Sequence, residues 1–297
     1  MIATVRVCLC LVVFAVVAHA QPAALTITTE PTVKNAIVWI DEVRRGTTDA
    51  SGKLTLTKLS PGRHTVRVRA MAYKEATAVL LPGRRTLVVK LVGTDDPAIL
   101  MFQQAEKARE EARDDASRES AADLYREAFK NPPPNAAAHV GLARVLLDLN
   151  KFKEARAEID AARRIRPVYP EASAVEGRIY REEGFTDDAI RSFRRSIREA
   201  NGFQPEAHVG LSRVYEDKGD FAAAILELRK ALNQLDDSEP VIYQMLGAAY
   251  EKVNKPKEAI AAYEKYLQLA PNGSYAAAIR SILNQLKREA DGEEIIP

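Results

Sequence analysis

The segment AHVGLARV at residues 138–145 returns as AHVGLSRV at residues 207–214, 69 positions downstream, with a single difference between the copies. A chain that copies itself so closely is built from repeated units, and the residues between the copies give the unit length. Ala121, Ala155, Ala189, Ala224 and Ala259 are spaced by 34, 34, 35 and 35 residues. Each is followed four residues on by Tyr125, Ile159, Phe193, Leu228 or Tyr263, and seven on by Ala128, Ala162, Ser196, Ala231 or Tyr266. That spacing traces one face of a helix. A helical period of this length stacks helix pairs into a solenoid, in which each unit buries its apolar face against its neighbours.

Other positions recur in the same register. Leu146, Tyr180, Tyr215 and Tyr250 stand where a bulky side chain fills the space between paired helices, and Gly184, Gly219, Asn150 and Asn254 stand at the intervening turns. Glycine and asparagine tolerate the positive φ that a tight turn after a helix requires. The pattern resembles the tetratricopeptide repeat, whose signature is Leu-Gly, an aromatic, Ala, an aromatic and a closing Pro. Leu246, Gly247, Tyr250, Ala259, Tyr263 and Pro271 carry that resemblance most closely. Other units depart from it: Leu142-Ala143, Glu176-Gly177 and Leu211-Ser212 replace the Leu-Gly pair, and Asn201 and Asp236 replace the closing proline. Five units are expected over residues 101–273, the first degenerate, followed by a capping helix at 274–290 and an acidic tail at 291–297. In the cap, Tyr275, Ile279, Ile282, Leu283 and Leu286 form one apolar stripe, as a helix covering the last repeat requires.

Residues 1–20 read as a signal peptide: Arg6, an apolar run over 7–18, and Ala18-His19-Ala20 before Gln21. The run is too short to span a bilayer, and Cys8 and Cys10 both lie inside it, so the mature chain would hold neither cysteine nor transmembrane segment. Without thiols it forms no disulfide and no thiolate metal site. His64, His139 and His208 then sit on separate modules, the last two as copies in two repeats, which reads as helix packing. No phosphate loop, nucleophile elbow or paired-histidine metal motif is present, so no cofactor, metal or enzymatic activity is expected.

Over residues 21–94 the period falls to two. Ala36, Val38 and Ile40 alternate, as do Leu54 and Leu56, Val66, Val68 and Ala70, and Leu87, Val89 and Leu91, with breaks at Gly52, Pro61-Gly62 and Pro82-Gly83. This predicts a small antiparallel β-sandwich. Ala36, Val38, Ile40, Gly46, Leu59, Pro61, Gly62, His64, Val66, Val68 and Tyr73 are similar in placement to the PEGA domain and to carboxypeptidase regulatory-like domains. The resemblance implies an accessory module at a surface, with no defined ligand. Residues 95–100, beginning Asp95-Asp96-Pro97, read as the linker to the solenoid. The expected fold is therefore multidomain: a small antiparallel β-sandwich followed by an all-α superhelical solenoid.

Charge divides between the two modules. Residues 21–97 carry twelve basic and seven acidic side chains, a net of +5, whereas the remainder of the mature chain has a net of −4. A basic module suits contact with an anionic envelope polymer, and a solvated strand face explains the same charge. An exported chain has no nucleic acid to meet.

In a helix-pair solenoid the first helices line the groove. The residue recurring along it reads Glu110, Arg144, Arg178, Arg213 and Ala248, with Val140, Ala174 and Val209 one turn before the arginines. Three successive guanidiniums beside an apolar strip would grip a protein or peptide that is acidic or carries a free C-terminus. Against this, Asp148, Glu182 and Asp217 follow the three arginines at i+4 and would neutralise them on the same helix face. Two functions stay open: an exported interaction scaffold, periplasmic or at the cell surface, or a carbohydrate-polymer binder that uses the β domain, with the repeats as an assembly arm.

Overall fold

The computed structural model describes residues 24–290 apart from 58, 60, 61, 131–134 and 236. The expected signal peptide and acidic tail lie outside the described residues. Seven strands come first: β1 (Leu25–Glu30), β2 (Ile37–Ile40), β3 (Val43–Thr47), β4 (Lys53–Leu56), β5 (His64–Arg69), β6 (Ala76–Leu80) and β7 (Thr86–Lys90). They form one sheet in the order β4-β1-β7 and another in the order β3-β2-β5-β6. Ile27, Val38, Val66 and Val68 are completely buried between the sheets with Leu25, Ile40 and Val89, as the period of two requires. One pairing departs from the antiparallel expectation: β7 runs parallel to β1, with Ile27 beside Leu87. Alternation records which side chains face inward and carries no information on strand direction.

Among the described residues eleven helices follow, ten of them in five pairs: α1 (Pro97–Glu111) with α2 (Asp115–Ala128), α3 (Ala136–Asp148) with α4 (Phe152–Ile165), and α5 (Pro170–Glu182) with α6 (Thr186–Glu199). Then come α7 (Pro205–Asp217) with α8 (Phe221–Gln234), α9 (Pro240–Lys252) with α10 (Pro256–Leu269), and a last helix, α11 (Ala276–Ala290). Proline opens α5, α7, α9 and α10 at a position where its missing N–H costs no hydrogen bond. Asp96, Asn135 and Asp220 cap α1, α3 and α8 by accepting backbone N–H groups. Asn150, Gly184, Gly219 and Asn254 all have positive φ, between 54° and 82°, at the turns inside the pairs.

The recurring aromatics fix how units stack. Phe193 of α6 is fully buried against Gly177 of its own pair and Gly210 of the next, where an added Cβ would lie 2.8 and 2.3 Å from the ring. Tyr125 and Tyr263 press on Gly141 and Gly247 in the same way. The first helices also touch one another along the array, α1 with α3, α3 with α5 and α5 with α7. The side on which successive helices crowd together is the inner side of the curve, so the odd-numbered helices line the groove. At the far end Ile279, Leu283 and Leu286 of α11 are buried against the cluster holding Tyr263, Tyr266 and Leu267, while Tyr275 lies at its edge, stacked edge-on to Tyr266 at 6.4 Å.

Candidate functional site: a groove shared with the β domain

The solenoid groove is partly filled by the chain itself. On β2 and β5 the residues alternate, so Val38, Ile40, Val66 and Val68 turn into the β core while Trp39, Arg67 and Arg69 take the opposite face. Strand pairing sets Trp39 beside Arg67, and both guanidiniums stack on the indole, Arg67 at 4.3 Å and Arg69 at 5.1 Å from its centroid. This face meets the first helices. Arg69 reaches Glu106 of α1 at 3.2 Å, Arg44 reaches Glu110 at 3.1 Å, and Arg67 lies 3.9 Å from Glu171 of α5. Gln103, a buried polar residue of α1, accepts from the backbone N–H of Ala72 and donates to the carbonyl of Tyr73 at 2.9 and 2.8 Å. Beyond these contacts Val43, at the start of β3, packs against the apolar cluster that contains Val209, Leu235 and Ile242.

Electrostatics lock Glu106 in its charged form. Burial works against ionisation there, but the guanidiniums of Arg109 and Arg69 outweigh it and hold the carboxyl below the usual carboxylate range. The hydroxyl of Tyr125 donates to the same carboxylate, and burial with the adjacent negative charge pushes the phenol far up. Arg144 keeps its charge firmly too: burial opposes it, while Glu206 and Glu171 more than compensate.

Between the β2–β3 connection and helices α3, α5, α7 and α9 lies a cavity of about 620 Å³. Arg144, Arg178, Arg213 and Val209 all line it, together with Trp39 and Val43 from the β domain. Val140 and Ala174, expected beside the arginines, are instead buried at 1% and 0% exposure, so they belong to the packing between helices and offer no surface to a ligand. The arginines do not pair with the carboxylates four residues on. Arg144 reaches across to Glu206 at 3.3 Å and Arg178 back to Asp148 at 3.5 Å, so each pair ties one unit to another. Asp217 and Glu182 are taken by Arg181 at 2.6 and 3.0 Å. Arg213 is exposed and has no ion pair within 4.0 Å among the described residues; its charge acts on Glu216, where burial pushes the carboxyl up and Arg213 offsets part of the rise.

The histidines are tied inside the modules. His139 meets Glu158 and His208 meets Glu227, each at 2.6 Å and each joining the two helices of one pair, and His64 meets Asp41 at 2.6 Å in the β domain. Among the described residues no cluster of His, Cys, Asp and Glu is arranged to hold a metal, and no helix is long and apolar enough to cross a membrane. Sequence reasoning missed Trp39, Arg67, Arg69, Glu106 and Gln103. No residue pattern marks them: tryptophan and arginine on the outward face of a period-two strand also suit a solvated sheet, and the recurring groove position on α1 is Glu110, which leaves Gln103 and Glu106 unmarked.

Tetratricopeptide repeat models match residues 112–179, 175–240 and 240–272 in succession. Solved structures share the fold at low identity. A thermophilic tetratricopeptide repeat protein of Thermus thermophilus, TTC0263, is 22% identical with a TM-score of 0.52, over 63% of this chain and 98% of that one. PilF of Pseudomonas aeruginosa is 16% identical with a TM-score of 0.55, over 67% and 88%. The Cut9-Hcn1 hetero-tetramer of the APC/C gives 15% and 0.54, with this chain covering 64% of its own length and 36% of that chain. No curated protein sequence matches the chain. Repeat models that run end to end from residue 112 to 272, on helices whose aromatics and turn residues fall in register, make the helical part of this chain a tetratricopeptide repeat array.

Proposed function

We propose that the chain is an exported, non-enzymatic interaction scaffold whose groove holds a protein or peptide partner at the cell envelope, and that its PEGA-like β domain belongs to the binding apparatus. The observation that carries this reading is the cavity of about 620 Å³ where Val43, Val209 and Ile242 supply apolar surface and Arg213 stands at the wall with no ion pair within 4.0 Å among the described residues. Such a wall of aliphatic side chains with one available guanidinium suits an apolar anchor next to a carboxylate. Arg6, the apolar run and the Ala18-His19-Ala20 site support export. The pairing pattern separates the ladder residues by role. Arg144 braces its unit to the one two further along and Arg178 braces neighbouring units, whereas Arg213, with no ion pair within 4.0 Å among the described residues, is open to a partner.

Affinity chromatography on the mature chain, with the recovered partner then titrated against variants, tests the reading. Arg213→Ala is expected to weaken binding about tenfold or more, since a charge-assisted hydrogen bond contributes about 1.5–3 kcal/mol, and to leave the melting temperature unchanged. Arg144→Ala is expected to lower stability first. Unaltered affinity in Arg213→Ala would remove the groove from the binding site.

A further inference from the structure

The two modules carry opposite net charge, and the structure shows where the opposition is used. Arg44 and Arg69 of the β domain pair with Glu110 and Glu106 of the solenoid at 3.1 and 3.2 Å, and Arg67 lies 3.9 Å from Glu171, while Glu42 and Glu75 of the β domain hold Arg67 and Arg69 in place beside Trp39. Each module keeps an apolar core of its own, and Val43 is the β-domain side chain packed into a solenoid cluster. Among the described residues no strand lies closely along a helix: the modules meet mainly through long side chains, and cavities of about 290 and 620 Å³ remain beside the contact. An interface of this kind is polar, loosely packed and salt-sensitive, unlike the dry cores on either side of it.

We propose that the β domain is the resident ligand of the solenoid groove, and that the first half of the groove, over α1 to α5, selects a basic surface bearing an aromatic side chain. The partner of that half therefore has the chemistry of the β face it replaces, an aromatic ring flanked by guanidiniums, and binds by exchange with the β domain. This deepens the scaffold reading and rests on it, and it adds to the chemistry of the arginine ladder: in this half the solenoid sets Glu106, Glu110 and Glu171 beside Arg109 and Arg144, and the carboxylates are the groups that meet the β face. In the second half Val43 of the β domain covers part of the apolar cluster, and the cavity of about 620 Å³ lined by Arg213 remains while the β domain is docked.

Trp39 is the single tryptophan of the chain and lies in the contact, so its fluorescence reports docking in the intact mature protein without any partner. Raising salt from about 0.01 to about 1 M shortens the screening length from about 30 to about 3 Å. Acrylamide quenching of Trp39 is expected to rise at least twofold over this range while the far-UV circular dichroism stays constant. Glu110→Arg should raise quenching already at low salt, and adding Arg44→Glu to it should restore the parental value, because the swapped pair regains attraction. A dye-labelled synthetic peptide copying residues 36–70, which carries Trp39, Arg44, Arg67 and Arg69, should bind a Trp39→Ala chain at least tenfold more tightly than the parent, since the resident is then loosened, and a glutamate-rich peptide of equal length should bind neither. Quenching indifferent to salt and to Glu110→Arg would overturn the docking without touching the scaffold reading. Equal binding of the 36–70 peptide to both chains, binding to neither, or preference for the acidic peptide would overturn the specificity.

Discussion

Single residues here act mainly through what they leave room for. Gly210 has no special backbone geometry to serve; it is small because the ring of Phe193 occupies the place of its Cβ, at 2.3 Å. Gly210→Ala is therefore expected to destabilise the array by about 1–3 kcal/mol, the usual range for overpacking, read as a lower urea midpoint with the slope unchanged. Phe193→Leu in the same chain should recover part of the loss, because the smaller side chain frees the space. At this scale the sequence was legible where backbone conformation selects a residue type: Asn150, Gly184, Gly219 and Asn254 all take the left-handed turn their identity foretells. It was not legible where long side chains choose among several partners. Arg144 has Asp148 one turn away and takes Glu206 from two units further on. A helical-wheel argument sees the first carboxylate and is blind to the second, which only superhelical stacking brings near.

Elements were read correctly when one face of them is buried in a fixed period. The helices α2 to α10 follow the alanine register, and α11 lies where the stripe of Ile279, Leu283 and Leu286 places a cap. The parallel pairing of β1 with β7 escaped because strand direction is set by how the connection from β6 crosses between sheets, and no residue pattern marks it. The cap carries a prediction. Ending the chain after Gly273 would expose the face of α10 on which Tyr263 and Tyr266, both 2% exposed, now rest. The truncated protein is expected to melt earlier and to aggregate on concentration. Leu283→Ala in the intact chain should cost about 2–5 kcal/mol, as for other buried leucines. Calorimetry and light scattering on both variants check this; parental behaviour of the truncation would mean the α10 face needs no cover.

For the whole molecule, the β domain and solenoid are two cores joined by a charged seam, and the site belongs to both. Residues 21–94 and the repeats read as separate modules from period alone, and each does bury its own apolar set. What period cannot show is that the outward face of β2 and β5 is turned into the groove. Trp39, Arg67 and Arg69 would be equally at home on a solvated sheet, since Glu42 and Glu75 of the β domain already pair with the two arginines, and only the added contacts with Glu106 of α1 and Glu171 of α5 tie this face to the solenoid. The central claim is that a partner binds on the inner face of the solenoid beside the β domain. Site-specific photo-crosslinking in the native cells tests it most directly, with a photoreactive residue placed at Arg213 on the cavity wall or at Leu226, an exposed position on the second-helix layer. The account predicts a discrete adduct with one protein from position 213 and none from position 226. An adduct from position 226 alone would contradict it.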